Sequence, residues 1–307
     1  MRLFCLPLFA VLSCAALPLA AQRTQPPADS TIRQIVRTRD GSTLIGRVVA
    51  EDSASIRVET SGGVMSVPRA NLLSVTTIRA GDMHGGEYWF PDPNRTRLFF
   101  APTARMLDEG EGYYMNTYLL LQNFVGGLTD RVTVGGGFSL IPGVNPTNWL
   151  YYVTPKISVY DSDELHAAAG VLAGVVPHVS GGGFGLLYGV VTTGGRDRSI
   201  SAGTGVGYAG SSISTRPVFM LGGETRVSRR VALLSENYLY VQGDKSSQCG
   251  VSSCRTVTNN DASGVISYGV RFLGEKLSVD FALFQVASHD TDWIFPGIPY
   301  VSFGVKF

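Results

Sequence analysis

From Thr96 onward, hydrophobic residues alternate with small or polar ones in segments of roughly ten residues. Successive side chains of a β-strand point to opposite faces, so each segment would present one apolar face and one polar face. The alternation is clearest in residues 131–140, 264–273 and 277–286. No apolar run reaches the roughly 20 residues of a membrane helix. This pattern limits the chain to an all-β fold over about two thirds of its length.

The connections between these segments fall into two classes. Those after the second, fourth, sixth, eighth and tenth segments are short, with the sequences GLTD, YDSDE, TGGRDR, VSRR and GEK. The others are more variable and often longer, which a water-soluble β-sandwich has no reason to segregate in this way. We therefore predict a twelve-stranded antiparallel transmembrane β-barrel with both chain ends on the short-turn side. The predicted strands are 97–103, 113–123, 131–140, 149–159, 165–176, 184–192, 199–208, 216–226, 231–241, 264–273, 277–286 and 300–307.

Composition supports a division of the chain near residue 95. Only 16% of the 307 residues are charged, against about 25% in an ordinary soluble domain. After residue 95 there are 15 basic and 16 acidic residues in 212, whereas residues 22–95 carry 17 charges in 74. The deficit therefore belongs to the predicted barrel, 96–307. The net charge of +1 gives no basis for binding nucleic acid by bulk electrostatics.

The first 21 residues have the pattern of a secretory signal peptide. Arg2 precedes an apolar stretch, and Leu19-Ala20-Ala21 supplies a small-residue cleavage site. A lipoprotein signal ending at Cys14 is the alternative, although its apolar core would be very short. Residues 22–30 form a polar, proline-containing linker. In an exported protein, we predict that the closely spaced Cys249 and Cys254 form a disulfide in the longest external loop, 242–263.

Residues 31–79 predict a separate small β-module. Five short alternating segments are divided by an Asp40-Gly41 hairpin turn and by a Gly62-Gly63 turn. The run DGSTLIGRVV, followed by SIRVET and VMSVP, resembles the small barrels of Sm-like and SH3-like domains. Sm-like domains often bind RNA, an activity that we do not transfer to an exported chain. Residues 80–95 are interpreted as a second linker.

The chain ends with YVSFGVKF, in which Val301, Phe303, Val305 and Phe307 alternate with other residues. This sequence resembles the C-terminal strand signature of bacterial outer-membrane proteins, and the GLTDRVTVGGGF stretch is similar to many uncharacterised outer-membrane barrels. The resemblance implies that the barrel-assembly machinery recognises the last strand and that the barrel lies in the outer membrane of a Gram-negative bacterium. The module at 31–79 would then lie in the periplasm.

If the apolar positions face lipid, a set of charged residues faces the lumen. Both signs occur, so the set is interpreted either as a structural ion-pair network or as the charged constriction of a selective channel. Glu236 is the most conspicuous member, although its phase is ambiguous because Ser235 and Asn237 would then face lipid. The predicted lumen residues are Arg131, Lys156, Arg216, Glu224, Glu236, Arg271, Asp280 and Lys306.

We therefore predict a narrow channel or structural barrel for small solutes, surrounded by outer-membrane lipid. A lipid-modifying enzyme of the lipase or deacylase type is one alternative, but His84, His166, His178 and His289 show no recognisable spacing to a serine. An envelope tether is another, with residues 31–79 binding a periplasmic protein. The sequence predicts no cofactor and no metal site, and no nucleic acid as a partner.

Overall fold

The computed structural model describes residues 33–78, 80–179, 181, 183–249, 254–287 and 296–307, without the side chains of 80, 215, 241–249 and 254–262. The predicted signal peptide and first linker lie outside these residues. The chain divides into two compact units, with the boundary between Gly81 and Asp82. In the described part of the chain, no helix is both long enough and apolar enough to cross a membrane.

The N-terminal unit contains a five-stranded antiparallel sheet in the order β4-β3-β2-β1-β5. Val36, Ile56, Val58 and Val67 are buried between its strands and form a small apolar core. The five predicted strands and both glycine turns are confirmed, whereas the Sm-like relationship stays a prediction. The strands are β1 (Gln34–Thr38), β2 (Thr43–Glu51), β3 (Ser55–Thr60), β4 (Gly63–Pro68) and β5 (Leu72–Thr77).

The turn between β1 and β2 depends on the carboxylate of Asp40. Its Oδ1 accepts hydrogen bonds from the Thr38 hydroxyl at 2.5 Å and from the Ser42 amide at 3.0 Å, and Oδ2 accepts one from the Asn71 side chain at 3.1 Å. The next residue, Gly41, has a φ of +87°, which a glycine adopts without steric cost. These hydrogen bonds, led by that from Thr38, lower the pKa of Asp40.

Replacing Asp40 by asparagine should loosen the N-terminal sheet in a pH-dependent way. A lowered pKa in the folded state stabilises the sheet above the unfolded pKa of about 4, and this contribution is lost as the pH falls through the folded pKa. D40N should therefore exchange amide hydrogens of residues 34–77 several-fold faster than wild type at pH 7, with the difference shrinking below pH 4. Hydrogen exchange on the full chain, corrected for intrinsic rates, measures this. Equal protection at pH 7 would contradict it.

The second unit is dominated by a closed barrel of twelve strands, each antiparallel to its neighbours. The last strand pairs with the first, with Lys306 opposite Tyr113. The predicted twelve-stranded barrel is confirmed. A two-stranded sheet, β6 (Met83–His84) and β7 (Glu87–Tyr88), precedes it, together with short 3-10 turns at Arg69–Asn71 and Ala80–Asp82. The barrel strands are β8 (Gly112–Thr117), β9 (Leu121–Thr129), β10 (Val132–Ser139), β11 (Tyr151–Asp161), β12 (Leu165–Val175), β13 (Gly183–Gly194), β14 (Arg198–Ala209), β15 (Ser212–Ser228), β16 (Val231–Cys249), β17 (Cys254–Leu273), β18 (Leu277–Ala287) and β19 (Ile298–Lys306).

The first two predicted strands are wrong in detail. Residues 97–103 are not a barrel strand, and the predicted strand 113–123 is instead a hairpin of β8 and β9. Tyr118 and Leu119 form its turn with φ values of 56° and 63°. This left-handed conformation is uncommon for tyrosine and leucine, so their presence does not predict a turn. One strand is lost and one is gained, so the five short turns still lie on the side where β8 begins and β19 ends.

Alternate residues along the barrel strands face the outside of the barrel and its lumen. On β17, Ile266, Tyr268 and Phe272 are about half exposed on the outer face, while Ser267 and Arg271 are fully buried on the inner face. The same division runs along β18 and β19. Closure of the barrel pairs the strand backbones all round, as a membrane-spanning sheet requires.

The predicted external loop at 242–263 is largely strand. The backbones of β16 and β17 extend to 19 and 20 residues and place Cys249 opposite Cys254 in register. Residues 250–253 and both cysteine side chains lie outside the described parts, so the disulfide stays a prediction.

Candidate functional site

The lumen of the barrel contains a segment of the chain that precedes β8. We call residues 90–107 the plug segment. Leu98 and Phe99 at its centre are completely buried, and its backbone bonds to inward-facing side chains of β10, β11, β13, β16, β17 and β19. The predicted linker at 80–95 therefore overlaps the plug, since Phe90, Asp92 and Asn94 are buried within the barrel unit.

Glu236 on β16 binds the middle of the plug segment. Its Oε2 accepts the backbone N–H groups of Phe99, Phe100 and Ala101 at 2.7, 2.9 and 3.0 Å, and Oε1 accepts the hydroxyl of Tyr238 at 2.8 Å. Three consecutive amides around one carboxylate oxygen form an anion-binding turn. Hydrogen bonds to a charged acceptor are about twice as strong as neutral ones, so this carboxylate fixes the turn in place.

The side chain of Glu236 is fully buried against the plug, whereas Ser235 and Asn237 lie on the other face of β16 and bond to each other. The Asn237 amide donates to the Ser235 hydroxyl at 2.9 Å, and the Ser267 backbone N–H donates to Asn237 at 3.1 Å. These bonds satisfy two polar side chains at positions where the alternation predicts apolar ones.

Arg271 on β17 is the centre of a buried ion-pair cluster. Its guanidinium donates to Asp280 on β18 at 2.7 Å, to Asp92 of the plug at 3.0 Å and to Glu224 on β15 at 3.3 Å. It also donates to the backbone carbonyl of Leu98 at 2.6 Å. The cluster joins three strands to the plug segment, and desolvating these charges is tolerated because each one has a partner.

Two further cations connect the plug segment to the wall. Arg97 donates through Nη1 to Asp280 at 3.0 Å. Lys156 on β11 donates to the backbone carbonyls of Thr96, Thr103 and Arg105 at 3.2, 2.8 and 2.8 Å. Three acceptors match the three protons of an ammonium group.

Five of the eight predicted lumen residues meet in this site: Lys156, Glu224, Glu236, Arg271 and Asp280. Arg131 is exposed in the turn between β9 and β10 and is not part of this site. Arg216 lies where the β14–β15 register is irregular. This position is near the rim of the barrel opposite the short turns. Lys306 is partly buried and pairs with Glu111 beside the chain ends.

Asp92, Arg97 and the plug itself were not predicted. The sequence carries one sign of the plug, because Gly222 lies on the inner face of β15 where Leu98 passes. A Cβ at Gly222 would lie 2.4 Å from Cδ1 of Leu98 and 2.6 Å from the carbonyl oxygen of Ser235. Only glycine allows the plug this close to the wall.

Replacing Gly222 by alanine should therefore displace the plug and lower the thermal stability of the barrel, because the new methyl group overlaps both neighbours. An overpacked core typically loses about 1–3 kcal/mol. Gly207→Ala is the matched control, since its Cβ would meet nothing closer than 3.7 Å. Thermal unfolding of both variants, followed by heat-dependent gel mobility, tests this. Equal midpoints for the two would count against close packing at Gly222.

A partly open cavity of about 390 Å³ lies against the plug segment. Its wall includes inward-facing residues of β11 to β15. The cavity extends to Leu121, Leu150 and Phe184, which lie near the rim of the barrel opposite the short turns. The wall is mainly apolar and includes Arg97 and Lys156 but no aspartate or glutamate.

The described histidines do not assemble with a serine. His84 stacks on Trp89 with a centroid separation of 4.1 Å and pairs with Asp197 at 3.0 Å. His166 pairs with Asp161, and His178 lies 3.3 Å from the carbonyl oxygen of Thr147. His289 lies outside the described residues. In the described parts of the chain, no serine hydroxyl is hydrogen-bonded to a histidine.

No protein-family model matches the chain, and neither does any curated protein. Among solved structures, the NanC porin has a TM-score of 0.40 at 9% identity, over 64% of this chain and 96% of that chain. OmpT of Vibrio cholerae has a TM-score of 0.34 at 10% identity, over 90% of this chain and 94% of that chain. The assignment of a barrel here rests on its own strand pairing.

Proposed function

We propose that the chain is an outer-membrane barrel for small solutes whose lumen is kept closed at rest by the plug segment. The observation that carries the proposal is the clamp of Glu236 on three consecutive plug amides. The plug segment packs through apolar side chains such as Leu98 and Phe99, and it is also bound by charged groups that a change of conformation can exchange. Opening then requires the plug to leave its charged partners.

The location is inferred from the outer face of the barrel. Apolar side chains such as Leu221, Phe272 and Phe281 are about half exposed there, and in a water-soluble protein so continuous an apolar surface would be a liability. We place the short turns and residues 31–79 on the periplasmic side, because short turns face the periplasm in such barrels. A periplasmic partner for residues 31–79 stays a prediction.

The last strand supports the same location. Val301, Phe303, Val305 and Phe307 alternate with inward-facing residues of β19, so they present an outer face, and Phe307 is 70% exposed. We propose that the barrel-assembly machinery recognises this face.

Planar-bilayer recording of refolded protein tests the closed-barrel proposal. Wild type should show rare, small openings, and neutralising Glu236 or Arg271 should raise the open probability. A wide, permanently open pore in wild type would contradict a plug, and silence in all variants would contradict a channel.

A further inference from the structure

The cavity beside the plug has the features of a ligand site, and it borders the ion-pair cluster through Arg97, which pairs with Asp280. Its volume of about 390 Å³ lies within the range of small-molecule sites, about 300–1,000 Å³. On β13 it is lined from Phe184 to Val190, and on β11 Tyr152 and Lys156 contribute to it. Six residues of strand span about 20 Å, so the cavity is elongated along the barrel.

The walls and the floor of this cavity differ in chemistry. Leu172, Leu186, Val218 and Met220 supply apolar surface along its length, whereas Arg97 and Lys156 are the charged residues of its lining. Both are cations, and all the carboxylates of the ion-pair cluster lie outside the lining. The charged side chains that line the floor are therefore both cations, while the walls are apolar.

Arg97, which lines the cavity, has two guanidinium nitrogens that are sealed in the packing beside this floor. The side chain is 95% buried, and all of its hydrogen bonds to the described residues leave from Nη1. Its Nε and Nη2 are buried without a hydrogen-bond partner among the described residues. Buried guanidinium donors are normally paired, and a carboxylate matches them in geometry and in charge.

We propose that this cavity binds a monocarboxylate with a linear apolar tail, of the fatty-acid type. The carboxylate lies at the floor beside Arg97, and the tail runs past Leu186 toward the end of the barrel near Phe184. The cation at the floor selects the acid over neutral molecules, while the apolar wall provides most of the affinity. This inference rests on the proposed function, since it names the class of solute that the lumen takes.

Equilibrium dialysis with radiolabelled decanoate tests the proposal on the full chain in lipid nanodiscs, with empty nanodiscs of the same lipid subtracted. Wild type should bind one equivalent. Leu186→Trp, which fills the cavity, should weaken binding at least tenfold. Leu187→Trp is the matched control, because Leu187 is the next residue of β13, lies on the outer face and is 46% exposed. Its binding should equal that of wild type. Heat-dependent gel mobility checks that both variants fold.

Competition on wild type tests the charge without any substitution. Unlabelled decanoate should displace the label at least tenfold better than methyl decanoate does. Equal competition by the ester, or unchanged binding by Leu186→Trp, would overturn the proposal. The binding assay does not depend on conductance. A failure to bind decanoate would therefore not contradict the plug, and an absence of channel openings would not contradict decanoate binding.

Discussion

Replacing Arg271 by methionine should give the largest gain in conductance of any single substitution in the barrel. The variant removes the guanidinium that pairs with Asp92 of the plug and with Glu224 and Asp280 of the wall. Three buried carboxylates then lie together, and Arg97 pairs with Asp280 alone. Removing one partner of a buried ion pair typically costs about 3–5 kcal/mol.

This cost can be relieved if the plug segment leaves the lumen and carries Asp92 away from the other two acids. Water would then hydrate Glu224 and Asp280, which line the vacated path. We therefore expect frequent openings in planar bilayers with a preference for cations, since the exposed lining is acidic. The reversal potential in a salt gradient measures this preference.

Arg131→Met is the control for Arg271→Met. It removes the same charge from an exposed turn on the short-turn side of the barrel, so its conductance should match that of wild type. If Arg271→Met folds, as judged by heat-dependent gel mobility, and stays as closed as wild type, the cluster does not hold the plug.

The sequence predicted the barrel because its evidence is local. Ile266, Tyr268 and Phe272 face outward at alternate positions of β17, and a period of two is visible within a single strand. The short turns are also visible locally, because they contain glycine or charged residues between the alternating segments. The hairpin at Tyr118 and Leu119 was missed because its left-handed turn contains no glycine, asparagine or aspartate.

The plug could not be predicted because its partners are distant in the sequence. Residues 97–103 contain an apolar run that resembles a short strand, and nothing in them indicates that Phe99 donates to a glutamate 137 positions later. The alternation predicts lumen positions for Glu236 and Arg271, and both side chains are fully buried against the plug. Whether such groups meet water or another part of the chain depends on long-range packing, which a residue's neighbours in sequence do not report.

Two substitutions of Glu236 should show whether its charge or its hydrogen bonds hold the plug in place. In Glu236→Gln the side-chain oxygen can still accept the three plug amides, but it does so as a neutral acceptor. In Glu236→Ala those amides lose their acceptor, and each unpaired buried N–H costs about 1–3 kcal/mol. Open probability should therefore rise in the order wild type, Gln, Ala, and the thermal midpoint should fall in the same order.

Glu164→Gln is the control for this series, because Glu164 is exposed in the short turn between β11 and β12. It makes the same change of charge and should leave both measurements at wild-type values. If Gln opens the barrel as far as Ala does, the charge of Glu236 alone holds the plug. If Gln behaves as wild type and only Ala opens, the amide contacts suffice without the charge, and opening would not need the carboxylate to be neutralised. If both variants stay closed, the Arg271 cluster and the three carbonyl contacts of Lys156 are sufficient to hold the plug in place.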